Sequence, residues 1–280
     1  MPDFKRIFQL LQALSLDVVT GACSMSFLIA HMFDISLPAI VYIELATAVW
    51  LIYTMDHLLD AKTISHTPTT FRHSFHKDFS GTLTWVWLIV FLISTILGIL
   101  FLPTDTIKFG LLAVVIVIMH FVLVRLIGHR ISVFIHKELG VGMAYALGVF
   151  IGPFSMSTAF DTTLFIIPLQ VFLLAMINLI QFSFFEHEID EKQNQTSMSR
   201  NLGKKLTGKL ILSLLIVQSL LISLSFLILP SLLTEWIFLG LITGSFWLIW
   251  IGQAFFSKFE RYRVFGDGIF NLPLLLILFT

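Results

Sequence analysis

The sequence predicts an all-α integral membrane protein that crosses the bilayer about nine times and forms a single domain over residues 1–280. Hydrophobic residues make up 57% of the chain and charged residues only 12%, and the mean hydropathy is +0.95. The apolar residues also occur in segments long enough for a hydrocarbon core, which takes roughly 20 helical residues to cross about 30 Å. A chain of this composition needs lipid, rather than water, around most of its surface.

Nine apolar segments are the predicted spans, and polar or proline-containing breaks separate them. They cover residues 8–33, 37–58, 82–102, 107–127, 132–153, 163–187, 208–229, 233–255 and 265–280. Pro38, Pro103 and Pro230 lie in or beside tight connections, where one helix ends or the next begins. These connections are too short to hold a further domain.

The basic residues predict the orientation of these spans. If the N-terminus is cytoplasmic, all of the 17 Lys and Arg residues except Lys108 lie on the cytoplasmic side. That distribution follows the positive-inside rule. We therefore expect a multi-pass protein of the cell membrane, surrounded by membrane lipids, with an extracytoplasmic C-terminus.

Several classes of protein are excluded by what the sequence lacks. Cys23 is the only cysteine, so neither a disulfide framework nor a cysteine-rich metal site can form within the chain. The sequence has no glycine-rich nucleotide loop after a strand, no zinc-ligand spacing and no basic nucleic-acid module. A nucleic-acid partner is therefore not expected, and the oligomeric state is not predicted.

An acidic motif occurs twice, each time at the end of an apolar segment. Residues 56–62 have the sequence DHLLDAK and residues 186–192 have the sequence EHEIDEK. Both follow the pattern acid, His, any residue, aliphatic residue, Asp, any residue, Lys. In the simpler interpretation, these are solvated helix ends whose acids pair with the lysines. Duplication at equivalent positions beside apolar spans, where acids are costly, favours a functional interpretation.

The two acids of each motif are four residues apart, which places them on one face of a helix. Asp56 with Asp60, and Glu186 with Asp190, would each present two carboxylates to a common point. Hard divalent cations such as Mg²⁺ bind one or two carboxylates and complete their shell with water and phosphate oxygens. The four acids therefore predict a Mg²⁺ clamp that holds a diphosphate.

Two such motifs after the second and sixth of nine spans resemble the UbiA-type superfamily of intramembrane prenyltransferases. The resemblance covers nearly the whole chain, and in the second motif it extends to Ser197 and to Leu202-Gly203. It implies a UbiA-like bundle in which the four acids bind Mg²⁺. The bound ions would hold an isoprenyl diphosphate while a lipophilic acceptor attacks the allylic carbon.

The chain departs from the family pattern in both motifs. Ile52 and Tyr53 stand where the family's first motif begins with Asn-Asp, and Glu186 stands where the family has Asp. These departures permit a second hypothesis, a non-catalytic membrane protein of the same fold that binds an isoprenoid or an anionic lipid. A third hypothesis is a secondary transporter, although its acids would lie at helix ends rather than at midplane helix breaks.

Basic residues near the motifs are the candidates for binding the diphosphate oxygens. The candidates are Arg72, Lys77, Lys137 and Lys204. For Lys204, the alternative role is an anchor for lipid headgroups. His73 and His76, in the same connection as Arg72, are alternative ligands for a transition metal.

Polar residues inside the spans are the candidates for the wall of a substrate pocket. Asn178, Gln181 and Asp17 lie in apolar segments, where polar side chains should face the interior of the bundle. The alternative for Asn178 and Gln181 is hydrogen bonding between helices. Asp17 could pair with a neighbouring helix or hold a hydroxyl group of the acceptor.

Overall fold

The computed structural model of this chain describes residues 9–63, 71–127, 137–157, 163–193 and 197–278, and within these ranges it contains helices and no strand. The longer helices are α1 Leu16–Met32, α2 Ala39–Thr63, α4 Ser80–Phe101, α5 Thr104–Ile127, α6 Lys137–Met156, α7 Thr163–Phe185, α10 Lys204–Ile228 and α11 Leu233–Ile251. The shorter ones are α3 Phe71–Asp78, α8 His187–Gln193, α9 Met198–Leu202, α12 Gln253–Phe256 and α13 Arg261–Gly268. A 3₁₀ helix, Ile269–Leu278, follows α13.

Among the described residues, six helices are long and apolar enough to cross a membrane, namely α2, α4, α6, α7, α10 and α11. Helix α1 is apolar but has 17 residues. The prediction of an all-α membrane protein is therefore confirmed in its class. As predicted, Pro38 and Pro103 directly precede α2 and α5, and Pro230 lies between α10 and α11.

Two predicted spans are less regular than the sequence suggested. The first is interrupted before α1, where Ser15 adopts a left-handed conformation with φ 55°. The last, predicted over 265–280, consists of the end of α13 and a 3₁₀ helix that contains Pro273. Proline lacks the N–H that an α-helical hydrogen bond requires, which accounts for an irregular helix at this point.

Helix α7 lies at the centre of the bundle and carries the second motif at its end. In its apolar window 67% of the residues are buried by protein, against 11% for α4, which lies at the periphery. Helix α7 packs against α6, α10 and α13, while α1 packs against α2, α6 and the 3₁₀ helix. The side chains exposed on α4 are mostly aliphatic or aromatic, as expected for a surface that faces lipid.

Polar side chains inside the bundle form hydrogen bonds between helices. Gln170 Nε2 donates to Ser225 Oγ at 2.7 Å and joins α7 to α10. Ser94 Oγ donates to Glu44 Oε2 at 2.5 Å and joins α4 to α2. Because lipid offers no competing partner, such bonds help to fix neighbouring helices, each contributing about 0.6 kcal/mol on average.

Candidate functional site

The second motif begins directly after α7, where Glu186 forms an ion pair with a side chain that the sequence analysis did not single out. Glu186 Oε1 accepts hydrogen bonds from Tyr262 Oη at 2.9 Å and from Arg263 Nε at 3.1 Å. Arg263 Nη2 also donates to the same oxygen. Tyr262 and Arg263 lie in the first turn of α13, which follows two residues with left-handed backbone, Phe259 and Glu260.

The charges around Glu186 favour its ionised form. Burial opposes ionisation, but the positive charges of Arg263 and Arg72, together with the hydrogen bonds from Arg263 and Tyr262, hold the pKa of Glu186 below its ordinary value. Arg72 belongs to α3, in the connection that follows the first motif. The structure therefore brings a predicted diphosphate-binding residue within electrostatic range of the second motif.

Asp190, the other acid of the second motif, lies in a different environment. It is 6% exposed, and the side chain of Ser197 donates a hydrogen bond to it. Burial raises the pKa of Asp190 to about 6, to which the negative charges of Glu186 and Glu138 contribute. Glu138 is fixed close by, because its Oε1 accepts a hydrogen bond from the backbone N–H of Met198 at 2.6 Å.

The first motif lies at the end of α2, where its histidine is buried. His57 Nε2 lies 3.2 Å from Ser15 Oγ, and the His57 ring packs edge-on against the His76 ring, with 4.9 Å between the ring centroids. His76 Nδ1 in turn donates to the carbonyl of Arg72 at 3.0 Å, and burial lowers the pKa of His76. These contacts attach α3 to the first motif. Asp56 is half-buried on the same helix.

The predicted Mg²⁺ clamp is described only in part. The side chain of Asp60 lies outside the described residues. Among the side chains that are described, no group of three or more His, Cys, Asp or Glu residues is arranged to hold a metal ion. The Mg²⁺ site and the role of His76 as a metal ligand therefore stay predictions, as does the role of His73, whose side chain is also not described.

The four predicted diphosphate-binding residues have different positions. Arg72 is half-buried beside the motifs, whereas Lys77 is exposed on the same helix. The side chain of Lys137 lies outside the described residues. Lys204 Nζ lies 3.9 Å from Glu188 Oε1 and 5.4 Å from the ring centroid of Phe184, in an open groove beside α10.

A second group of polar side chains lies between α7 and α13, one helical turn beyond the Arg263–Glu186 pair. Asn178 Nδ2 donates to Asp267 Oδ1 at 2.9 Å, and Asp267 lies four residues after Arg263 on α13. Asp17, in the first turn of α1, is close enough for the charges of Arg263 and Arg72 to act on it. Helices α1, α7 and α13 thus form one connected charged cluster.

A small cavity lies beside this second group. Its lining residues are Val18, Tyr53, Tyr145, Ala175, Asn178, Leu179, Asp267 and Phe270. A water-sized sphere can occupy about 20 Å³ of it. Of the predicted pocket residues, Asn178 lines this cavity, Asp17 is adjacent to its wall residue Val18, and Gln181 donates to the carbonyl of Phe246 at 3.1 Å, joining α7 to α11.

Four site residues escaped the sequence analysis, namely Tyr53, Tyr145, Tyr262 and Arg263. One signal could have identified Arg263: it lies four residues before Asp267, so both charges share a face of the same helix. The tyrosines carried no comparable signal, because aromatic residues are abundant throughout the chain and their partners come from other helices.

The helices and the charged cluster define a polytopic α-helical membrane protein with ionisable groups packed where α1, α7 and α13 meet. No protein-family model matches the chain, and neither a curated protein nor a solved structure matches it.

Proposed function

We propose that this protein is a Mg²⁺-dependent prenyltransferase, which transfers an isoprenyl group from its diphosphate to a lipophilic acceptor within the membrane. The duplicated acidic motif carries the proposal, and the position of Arg72 supports it. Arg72 follows the first motif in sequence, yet its charge acts on Glu186 of the second motif. A cation beside two acidic motifs is the arrangement that a metal-bound diphosphate requires.

The donor atoms of the motifs suit Mg²⁺, which prefers carboxylate oxygens. Asp56, Asp60, Glu186 and Asp190 are the proposed ligands. Burial raises the pKa of Asp190, and the negative charges of Glu186 and Glu138 add to the shift. A bound cation would relieve this repulsion. When bound, Mg²⁺ would neutralise charge that develops on the departing diphosphate.

The basic side chains would bind diphosphate oxygens directly. Arg72, Lys77, Lys137 and Lys204 are the proposed contacts, and Arg263 adds a second guanidinium beside Glu186. Guanidinium groups suit this role because their N–H groups match the geometry of phosphate oxygens. The apolar side chains of the bundle would keep water away from the allylic carbon while its bond to the diphosphate breaks.

The proposal includes nine spans in a UbiA-like bundle, a cytoplasmic N-terminus and an extracytoplasmic C-terminus in the cell membrane. In that orientation both motifs would face the cytoplasm, and the proposed site would open toward the cytoplasm and the inner leaflet. Lys5 and Arg6 near the N-terminus, and the basic residues of the connections that follow α2 and α7, support this orientation.

One observation favours a second candidate function, non-catalytic binding of an isoprenoid or anionic lipid. Glu186 is engaged by both Tyr262 and Arg263. These hydrogen bonds occupy Glu186 Oε1, so a metal ion would have to bind Oε2 or compete with Arg263. In the non-catalytic alternative, Arg263 and Arg72 would bind an anionic headgroup without Mg²⁺.

Binding of geranylgeranyl diphosphate to the detergent-purified protein, with and without Mg²⁺, tests the proposal. We expect Mg²⁺-dependent binding that weakens about tenfold or more in Asp60→Asn and Asp190→Asn, a change of at least about 1.4 kcal/mol. Glu188→Gln is the matched control, because Glu188 lies on α8 with Asp190 but is exposed. Binding that does not depend on Mg²⁺ would overturn the proposal and support the non-catalytic alternative.

A further inference from the structure

A groove with basic and aromatic walls lies where α10 begins. Its lining includes three lysines of α10, namely Lys204, Lys205 and Lys209, and the rings of Phe184 and Trp250. The space open to a water-sized sphere is about 390 Å³, against about 20 Å³ in the cavity beside α7 and α13. Ligand pockets typically measure about 300–1,000 Å³. The groove therefore has room for a molecule much larger than water.

The groove lies at one end of the membrane-spanning part of the bundle. Three helices that are long and apolar enough to cross a membrane, α7, α10 and α11, meet there. Phe184 is the last residue but one of α7, Trp250 is the last but one of α11, and Lys204 is the first of α10. Lysines at the end of a span, with a tryptophan beside them, are typical of the level of the lipid headgroups.

The floor of the groove is apolar, and a glycine leaves it open. A Cβ at Gly208 would lie 3.2 Å from Trp250 Cη2 and 3.5 Å from Phe184 Cε2, so a side chain at this position would fill the space beside both rings. These rings pack edge-on, with 5.3 Å between their centroids. Leu212, one helical turn beyond Gly208, continues the apolar wall and is 39% exposed. The groove is thus basic at the start of α10 and apolar further along the helix.

Two of the three lysines have no acidic partner among the described side chains. Lys204 Nζ lies 3.9 Å from Glu188 Oε1, whereas Lys205 and Lys209 are exposed and form no ion pair with a described residue. Lys205 and Lys209 are also four residues apart, and like charges at this spacing on a helix repel each other. An anion bound between these two lysines would remove that repulsion.

We propose that this groove binds one anionic phospholipid. Its phosphate lies between Lys205 and Lys209, and an acyl chain follows the apolar wall beside Leu212 and Trp250. Charge complementarity selects an anionic lipid, because a zwitterionic headgroup would bring a positive charge of its own to the lysines. Basic pockets between membrane helices recognise anionic headgroups in this way. The site needs neither Lys204 nor the acidic motifs, so it is independent of the proposed prenyl transfer.

Quenching of Trp250 fluorescence tests this site. The purified protein is placed in phosphatidylcholine vesicles that contain a small, equal fraction of either phosphatidylglycerol or phosphatidylcholine with brominated acyl chains, which quench a tryptophan only on contact. We expect stronger quenching by the phosphatidylglycerol, and this excess should disappear in Trp250→Phe, which keeps an aromatic wall but lacks the reporter. Equal quenching by the two brominated lipids would overturn the proposal.

The double variant Lys205→Gln with Lys209→Gln removes both charges from the exposed surface of α10. We expect it to bind phosphatidylglycerol about tenfold or more weakly, since each lysine beside an anionic lipid contributes about fivefold, the equivalent of about 1 kcal/mol. Lys258→Gln is the matched control, because Lys258 is exposed but does not line the groove. If Lys258→Gln weakens binding as much as the double variant does, only the overall positive charge attracts the lipid, and the proposal fails.

A soluble headgroup separates a lipid site from a site for free phosphate. Glycerol 3-phosphate, which has no acyl chain, should leave the excess quenching unchanged when it is added. Displacement of the brominated lipid by glycerol 3-phosphate would overturn the proposal, because the lysines would then bind phosphate alone.

The lipid site and the proposed diphosphate site can be told apart in the same double variant. Lys205→Gln with Lys209→Gln should lose the excess quenching but retain Mg²⁺-dependent binding of geranylgeranyl diphosphate, since neither lysine is a proposed contact of the diphosphate. Loss of both properties would assign the lysines to the diphosphate site and overturn a separate lipid site. Excess quenching in a protein that binds no diphosphate would refute the prenyltransferase alone.

Discussion

The two acidic motifs have the same residue pattern but different surroundings. In the first, His57 contacts Ser15 from the segment before α1 and His76 from α3. In the second, His187 Nδ1 lies 2.9 Å from Ser199 Oγ of α9. Each histidine therefore links its motif to a short neighbouring segment of the chain. The histidines of the two motifs thus have similar structural roles, whereas the charges around the acids differ between the motifs.

In the second motif, α13 supplies the partner of the first acid, Glu186. Arg263 of α13 binds Glu186, because α13 packs against both α7 and α1. Asp190, four residues further on, is buried, and the negative charges of Glu186 and Glu138 add to the effect of burial on its pKa. Two acids on one helical face thus have pKa values that shift in opposite directions. The repeated sequence sets the positions of the two acids along the chain, whereas Arg263 and Glu138, which lie on other helices, influence their pKa values.

Removing the partner of Glu186 should produce the largest effect. Arg263→Met leaves a largely buried carboxylate without its cation, which typically costs about 3–5 kcal/mol of unfolding free energy. We expect a loss near the lower end of that range, because the two side chains retain 16% and 20% exposure. Chemical unfolding in detergent would measure the loss.

The double variant Arg263→Met with Glu186→Met should regain most of that stability, because neither charge remains. Arg261→Met is the matched control, since Arg261 lies in the same helix and stacks on Phe255 at 4.2 Å rather than pairing with an acid. It should lose about 0.5–1 kcal/mol. If the double variant loses as much stability as the two single variants together, Arg263 and Glu186 do not stabilise each other. Their ion pair would then not set the second motif apart from the first.

The opposite pKa shifts predict opposite effects of pH on stability. The ordinary pKa of Asp190 is 3.8 and its folded value is about 6, so between these values the unfolded chain loses a proton that the folded chain keeps. The unfolding free energy contributed by Asp190 is therefore fully present below about pH 4 and falls as pH rises to about 6, by about 3 kcal/mol at most. Glu186, whose folded pKa is lowered, acts in the other direction and destabilises the fold as pH falls.

Unfolding of wild type and Asp190→Asn at pH 4 to 7, in EDTA, isolates the contribution of Asp190. The difference between the two proteins should change across this range and become constant above about pH 7. Glu188→Gln, an exposed substitution on the same helix, should keep the pH dependence of wild type. A constant difference between wild type and Asp190→Asn would mean that Asp190 titrates alike in the folded and unfolded chains.

The sequence predicted the helical class and the positions of the long helices, because hydrophobic segments of about 20 residues have few alternatives to a membrane helix. It also predicted that Asn178 would face the interior of the bundle, where the structure pairs it with Asp267. It did not predict that Arg263 binds Glu186, because 77 residues separate them and only the packing of α13 brings them together. The cavity was equally hidden, since its wall comes from five separate segments of the chain.

Arg263 of α13 can contact Glu186 of the second motif because α13 packs closely on α7. A substitution at Gly266 tests this packing. A Cβ at Gly266 would lie 2.4 Å from Asn178 Oδ1 and 2.7 Å from the ring of Phe182. Gly266→Ala should therefore push α13 away from α7 and cost about 1–3 kcal/mol of unfolding free energy, as overpacking usually does. Gly268→Ala is the matched control, because a Cβ there meets nothing within 4 Å.

The two glycine variants should also differ at the charged cluster. A displaced α13 weakens both the Asn178–Asp267 hydrogen bond and the Arg263–Glu186 ion pair. The Arg263→Met substitution should therefore cost less unfolding free energy in the Gly266→Ala variant than in wild type. Gly268→Ala should leave that loss unchanged. Stabilities measured for the three single variants, the two double variants and wild type would decide this. If Gly266→Ala is as stable as Gly268→Ala, then α13 reaches the second motif without close contact to α7, and the difference between the motifs has another cause.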